Sequence, residues 1–167
     1  MSAVLLIVLL VAAQRIAEVI HATRNTRALL RRGGVELGGS HYPLFVLLHA
    51  AWLVALVVLV PAATPPSWPW LIVFVLLQAM RLVVVLSLGP YWTTRVITLP
   101  QEPLVRRGPY RFLRHPNYLV VAAEIAVLPM VFGAWQLALI FSLLNGALLA
   151  WRIRIEEQAL APRRRLA

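Results

Sequence analysis

The chain has 167 residues, of which 61% are apolar, and its formal net charge is +10. A membrane-spanning helix needs roughly 20 mostly apolar residues, so this composition supplies about five spans and leaves little for a water-facing domain. We therefore do not expect a soluble protein. All sixteen basic residues are Arg, and they gather between apolar runs, which favours anionic lipid headgroups over nucleic acid as their partner. The chain has no Cys, and we expect neither a disulfide nor a metal site.

Five apolar stretches follow one another along the chain, at about 3–22, 43–63, 68–88, 117–132 and 134–151. Backbone polar groups inside a bilayer must be satisfied within the protein, and continuous Leu, Val and Ala runs lack the alternation of barrel strands. We predict an all-α integral membrane protein with about five transmembrane helices, built as a single domain over residues 1–167. An alternative for the first stretch is a signal peptide, but no basic segment precedes it and no clear cleavage motif follows Ala12-Ala13.

The arginines are distributed unevenly between alternate connections. Residues 23–40 hold four Arg and residues 89–116 hold five, whereas the connections at 64–67 and 133–134 carry no charge. Positive-inside retention then predicts an N-terminus outside and a C-terminus in the cytosol.

The last two stretches are joined almost without a loop, which predicts a tight antiparallel hairpin with Gly133 at its apex. The hairpin brings the segment before residue 117 beside the segment after residue 151. The segment before residue 117 is rich in rigid residues, namely Pro100, Pro103, Pro109 and Pro116. Fixed φ angles hold such a segment in one irregular path, as a ligand-binding loop requires. Alternatively, it is a basic loop on the membrane surface.

Three polar residues share one face of the last predicted helix. Asn145, Arg152 and Glu156 are seven and four residues apart, so an amide, a guanidinium and a carboxylate descend from the membrane to the cytosol. The alternative is an ordinary ion pair beside the membrane.

These segments resemble the isoprenylcysteine carboxyl methyltransferase family. Gly108-Pro109-Tyr110 followed by Arg114-His115-Pro116-Asn117-Tyr118 is similar to the family motif G-x-Y-x-x-x-R-H-P-x-Y. Arg152-Ile153, Glu156-Glu157 and Leu160 are similar to R-I-x-x-E-E-x-x-L. The resemblance covers roughly residues 75–160.

The resemblance implies that the cofactor is S-adenosylmethionine, bound within residues 95–160, and that Arg152 faces the acceptor. The implied cofactor contacts are Leu104, Val105, Tyr110, His115, Pro116, Asn117, Tyr118 and Glu156. Where the family often has a His, this chain has Glu102, and Arg95 stands where the animal enzymes have a Gln.

The N-terminal half is similar to a bacterial branch associated with type III polyketide synthases. The resemblance rests on Arg24-Asn25, on Arg32 to Gly38, on His41-Tyr42-Pro43 and on Leu48-His49. It implies O-methylation of an alkylpyrone or alkylresorcinol, a polyketide synthase in the same pathway, and the inner membrane of a bacterium with the active site facing the cytosol.

Four ionisable residues lie inside the predicted spans: Arg15, Glu18, Arg81 and Glu124. Such residues are costly in lipid and are candidates for function. One hypothesis pairs Arg15 with Glu18 and Arg81 with Glu124, and another makes Glu124 a general base near the acceptor. We interpret His49 as a packing or helix–helix hydrogen-bonding residue rather than a ligand.

The leading hypothesis is therefore a membrane O-methyltransferase whose lipophilic acceptor, an alkylpyrone, a phenolic lipid or a prenylcysteine-like carboxylate, enters from the bilayer. Methyl transfer from a sulfonium needs alignment and exclusion of water more than acid–base help when the acceptor is already anionic. In this hypothesis Arg152, with Asn145 and Glu124 nearby, serves the acceptor. A phospholipid N-methyltransferase, an NADPH-dependent membrane reductase and a non-catalytic scaffold that binds anionic lipid remain as alternatives.

Overall fold

The computed structural model describes residues 1–39, 42–161 and 163. Its main elements in chain order are α1 (Ala3–Arg31), β1 (Val35–Leu37), α2 (Tyr42–Leu59), α3 (Trp68–Leu88), β2 (Val96–Thr98), α4 (Pro116–Met130) and α5 (Trp135–Leu160). Short 3-10 turns cover Gly89–Tyr91 and Gly108–Arg111. The prediction of an all-α membrane fold is confirmed.

The helices present apolar surface outward. α1, α2, α3 and α5 are long and apolar enough to cross a membrane, whereas α4 is apolar but has only 15 residues. Leu47, Val58, Leu86 and Leu143 are each more than half exposed. Water would penalise so much apolar surface, and lipid does not, so the chain is an integral membrane protein.

Two helices continue beyond their predicted ends. α1 reaches Arg31 and α5 reaches Leu160, because a hydrogen-bonded helix does not stop where its composition turns polar and Arg, Glu and Ala favour the helical state. α2 instead ends at Leu59, shortly before Pro61, which lacks a backbone N–H to continue the helix.

The short α4 lies between α3 and α5 and is the most enclosed helix. Eight of its 15 residues are buried. All five helices contribute to one core, exemplified by Val8, Leu56, Phe74, Ile125 and Phe141. A helix shorter than a full span therefore has its polar groups covered by protein on both sides.

The predicted hairpin is present. Gly133 has φ +69°, a left-handed conformation that favours Gly, and it lies between the end of α4 and the start of α5. Close by, the Ala134 N–H donates to the carbonyl of Pro129 over 3.0 Å. The first residues of α4 and the last turns of α5 consequently lie side by side.

A small antiparallel ribbon, which the sequence analysis does not predict, joins two of the loops. β1 pairs with β2 in the register Val35 with Thr98, Glu36 with Ile97 and Leu37 with Val96. The ribbon joins the connection after α1 to the connection after α3, and so attaches the N-terminal half to the motif loop.

Candidate active site

The motif loop turns sharply at Gly108 and docks against α3. Gly108 has φ +53°, and a Cβ at this position would lie 2.3 Å from Ser87 Oγ. Only Gly allows both the backbone conformation and this close approach. Pro109 is the second residue of the 3-10 turn Gly108–Arg111, and Pro116 is the first residue of α4. A missing N–H costs nothing at these positions.

Ion pairs from the N-terminal half hold the loop in place. Arg32 Nη2 donates to Glu102 Oε1 over 2.6 Å, and the Tyr91 hydroxyl donates to Glu102 Oε2 over 2.7 Å. The Tyr91 hydroxyl and the Arg32 guanidinium lower the pKa of the Glu102 carboxyl. Arg95 Nη1 likewise contacts the Glu36 carboxylate at 3.1 Å. The N-terminal motif thus supports the loop. Sequence reasoning missed this role, although the single Glu in each of these two Arg-rich connections, Glu36 and Glu102, could have indicated it.

Tyr118 connects the two motifs. Arg152 Nε donates to the Tyr118 hydroxyl oxygen over 2.7 Å, and the Tyr118 hydroxyl donates to Glu156 Oε2. The Arg152 guanidinium carbon lies 5.4 Å from the Phe45 ring centroid and 5.6 Å from that of Tyr118. Two aromatic faces and one hydroxyl therefore fix the orientation of a buried cation.

His115 packs beside this connection. Its ring stacks on Tyr118 with centroids 5.4 Å apart. The Glu156 carboxylate, 3.6 Å from Nδ1, and the Glu157 carboxylate, hydrogen-bonded to Nε2 over 2.7 Å, raise the pKa of His115. The protonated imidazole is thus favoured by two neighbouring anions.

A cavity of about 490 Å³ lies under the motif loop. Its wall includes seven of the eight predicted cofactor residues, namely Leu104, Val105, Tyr110, His115, Asn117, Tyr118 and Glu156. Burial raises the pKa of Tyr110, so its hydroxyl stays neutral. Pro116 does not line the cavity, because it begins α4 with its ring buried. We name this space the loop-side cavity.

A second cavity of about 480 Å³ is lined by residues of all five helices, and α1 and α2 supply apolar side chains such as Ile16, Val46 and Leu53. We name it the membrane-side cavity. The two cavities share five lining residues, Trp92, Thr93, Asn117, Tyr118 and Arg152. The two spaces therefore meet at a shared wall that includes Arg152 and Tyr118.

The structure does not bring two predicted residues to either cavity. Glu124 is 1% exposed, and its carboxylate accepts from Arg15 Nη2 at 2.8 Å, Arg81 Nη1 at 3.1 Å and Gln78 Nε2 at 3.0 Å. With both oxygens engaged, Glu124 lacks the access that the general-base hypothesis requires. Asn145 of α5 is equally enclosed. It lies on the same helix face as Arg152 but deeper among the helices.

The four intramembrane ionisable residues form one cluster, which we name the buried quartet: Arg15, Glu18, Arg81 and Glu124. The two predicted pairs are present, with Arg15 Nη1 at 2.9 Å from Glu18 and Arg81 Nη1 at 3.1 Å from Glu124. The pairs also cross, since Arg81 Nε lies 2.5 Å from Glu18 and Arg15 Nη2 lies 2.8 Å from Glu124. Each carboxylate is therefore shared by both guanidinium groups.

Comparison with known proteins agrees with this geometry. Residues 70–162 match the model of the isoprenylcysteine carboxyl methyltransferase (ICMT) family, and the chain belongs to this family. It is 37% identical over 160 residues to the uncharacterized protein YpbQ of Bacillus subtilis, covering 93% of this chain and 95% of that protein. It is 26% identical over 143 residues to an uncharacterized protein of Haemophilus influenzae, covering 83% of each chain. No solved structure matches.

Family membership makes the chain a membrane methyltransferase, and members of this family generally use S-adenosylmethionine. The loop-side cavity fits such a molecule. Its volume lies in the usual range for small-molecule sites, and Glu156 supplies a carboxylate for a cationic ligand. Among the described residues, His115 Nδ1 and Asn117 Oδ1 are buried without hydrogen-bond partners, so polar atoms remain for a ligand to satisfy.

Proposed function

We propose that the chain is an S-adenosylmethionine-dependent O-methyltransferase acting on a lipophilic acceptor whose oxygen lies at Arg152. The observation that carries this proposal is the meeting of the loop-side and membrane-side cavities at Arg152 and Tyr118. A water-soluble methyl donor and a lipid-soluble acceptor have opposite solvent preferences. Two separate spaces with one shared wall satisfy both of them.

Each side chain at the shared wall has a distinct task. S-adenosylmethionine, when bound, supplies an electrophilic methyl group. Glu156 and His115 hold the donor from the loop side, where a carboxylate favours its cationic groups. Arg152 holds the acceptor oxygen as an anion by charge-assisted hydrogen bonds, and the Phe45 and Tyr118 rings keep the guanidinium in place. The apolar wall of the membrane-side cavity excludes water from the acceptor.

For the acceptor we favour an alkylpyrone or alkylresorcinol over a prenylcysteine-like carboxylate. The membrane-side cavity accommodates an alkyl chain, and the N-terminal segments resemble the branch associated with type III polyketide synthases. Such a synthase would supply the acceptor.

The distribution of Arg supports an active site on the cytosolic side of a bacterial inner membrane. Since the chain has no Cys, labelling of a Pro66→Cys variant tests this: reaction only from the outside supports it, and reaction only from the cytosol contradicts it.

A methyl-transfer assay tests the function. The purified protein in lipid nanodiscs receives tritiated S-adenosylmethionine with an alkylpyrone, an alkylresorcinol, a farnesylcysteine or phosphatidylethanolamine. We expect label on the pyrone or resorcinol. Label only on the farnesylcysteine would change the acceptor class, and label only on phosphatidylethanolamine would indicate an N-methyltransferase. Binding of NADPH without S-adenosylmethionine would overturn the proposal.

A further inference from the structure

His49 of α2 is held in one tautomer. Its Nδ1 lies 2.8 Å from the carbonyl oxygen of Phe45, one helical turn earlier. A carbonyl only accepts hydrogen bonds, so Nδ1 carries the proton and donates it. In the neutral ring Nε2 then has a free lone pair and acts as an acceptor.

The Nε2 atom is available to a ligand. His49 lines the membrane-side cavity, and Nε2 has no hydrogen-bond partner among residues 1–39, 42–161 and 163. In the same part of the chain, Nε2 is not among the polar atoms that are fully buried without a partner, so it keeps accessible surface. Phe45, one turn away at about 6 Å, contacts the Arg152 guanidinium. A proton acceptor and a cation therefore border the same apolar space.

The charged and titratable groups around this space come from all five helices: Tyr42 of α2, Arg15 and Glu18 of α1, Arg81 of α3, Tyr118 of α4 and Arg152 of α5. The wall around His49 is mostly apolar, and two cations of the buried quartet, Arg15 and Arg81, border the same space. Glu18 is the anion whose negative charge would stabilise an imidazolium at His49. Arg81 and Arg15 already share Glu18. The stabilisation that Glu18 offers therefore suits a transient positive charge on His49 rather than a permanent one.

We propose that His49 Nε2 takes the proton of the acceptor hydroxyl, a role that rests on the proposed function. The acceptor O–H bond breaks, its electron pair stays on oxygen, and a new N–H bond forms at Nε2. Arg152 holds the resulting oxyanion, and Glu18, on the wall of the same cavity, supplies a negative charge for the imidazolium. After the neutral product leaves, the proton passes to water and His49 returns to its starting state. An acceptor that is already ionised brings no proton and does not need His49.

The test compares two acceptors of different acidity in the His49→Gln variant. An alkylresorcinol is a phenol with a pKa near 10, whereas a 4-hydroxypyrone is ionised at neutral pH. At pH 7 and saturating S-adenosylmethionine, we expect His49→Gln to lower kcat for the resorcinol about 100-fold. The loss should disappear near pH 10, where hydroxide ionises the resorcinol. For the pyrone, kcat should stay within about threefold of the parent at every pH.

Absorbance of the bound resorcinol supplies a second measurement without cofactor. A hydrogen bond to Nε2 should shift the ultraviolet band of the resorcinol toward that of the phenolate in the parent and not in His49→Gln. His21→Gln is the matched control, because His21 lies on α1 outside the membrane-side cavity. It should keep the parent pH profile and the parent spectrum.

The outcomes separate this inference from the proposed function. Equal losses with both acceptors at all pH values, or no loss with the resorcinol, would overturn the role of His49 while leaving the methyltransferase intact. A parent protein that neither binds nor methylates either acceptor would overturn both. An unchanged melting temperature and S-adenosylmethionine affinity in His49→Gln exclude misfolding as the cause of a loss.

Discussion

Two clusters of this protein combine guanidinium and carboxylate groups but differ in their surroundings. The buried quartet has four short ion pairs, of which one lies within α1 and three join α1, α3 and α4. The second cluster, Arg152, Tyr118 and Glu156, joins α4 and α5 beside the two cavities. In the quartet each carboxylate is satisfied by two guanidinium groups. In the second cluster one hydroxyl connects a cation and an anion that each border open space.

Burial of a charge in a membrane does not by itself identify an active site. Intramembrane ionisable residues are functional candidates, and by that rule Glu124 qualifies. Its contacts with Arg15, Arg81 and Gln78 leave it no access to a substrate. Arg152 is also buried, but it borders both cavities. Unused hydrogen-bonding capacity next to a cavity is the property that separates the two.

The largest expected effect comes from breaking the quartet. Arg81→Met leaves two carboxylates facing one guanidinium, and we expect the free energy of unfolding to fall by about 3 to 5 kcal/mol. Chemical unfolding in mixed micelles measures this. Adding Glu124→Gln to Arg81→Met restores neutrality and should recover at least about 1 kcal/mol. Arg154→Met, on an exposed part of α5, is the control and should change little. A single variant as stable as the parent would contradict the structural role.

Arg152→Ala should affect the reaction more than the fold. Losing a charge-assisted contact to the acceptor oxygen in a dry site should lower kcat/KM for the acceptor. The loss corresponds to about 2 to 4 kcal/mol of transition-state stabilisation. We expect the dissociation constant of S-adenosylmethionine to change less than about threefold. Steady-state kinetics and calorimetry measure the two quantities. If the variant instead lost stability with unchanged kinetics, Arg152 would belong with the quartet.

Glu156→Gln should have the opposite selectivity. The variant keeps a hydrogen-bond acceptor for Tyr118 but removes the anion offered to the cofactor. We expect the dissociation constant of S-adenosylmethionine to rise about tenfold, or about 1.4 kcal/mol. Acceptor kinetics at saturating cofactor should change less. Equal effects of Glu156→Gln and Arg152→Ala on both reactants would show that the two residues do not have separate roles.

The smallest effect is a pH dependence from His115. Its pKa is raised above the ordinary value of 6.5 by Glu156 and Glu157, so the protonated ring stabilises the folded state. This contribution is complete below pH 6.5 and is lost as the pH rises through the folded-state pKa. Without cofactor, the parent should melt at a higher temperature than His115→Gln, and this difference should be largest near pH 6. A difference that grows toward pH 9 would contradict the assigned sign.

The sequence by itself determined that the protein lies in a lipid bilayer and which segments form the candidate site. Continuous apolar runs can only be helices in a bilayer, because the backbone must satisfy its own polar groups there. Gly133 between two such runs required a hairpin, which placed Tyr118 near Arg152. The one-face spacing of Asn145, Arg152 and Glu156 also followed from helical geometry. These inferences succeed because each depends on local periodicity or on the immediate neighbours in the chain.

Only the tertiary structure decided which of the polar residues border a cavity and which are enclosed by other side chains. The crossed pairing of the quartet, the ribbon from Glu36 to Ile97 and the contact of Arg32 with Glu102 join segments far apart in sequence. No local pattern specifies such contacts. His49 and Glu124 are both polar residues on apolar helices. One borders a cavity and the other is enclosed by cations, because the packing of five helices, and not the composition of any one of them, sets what each side chain faces.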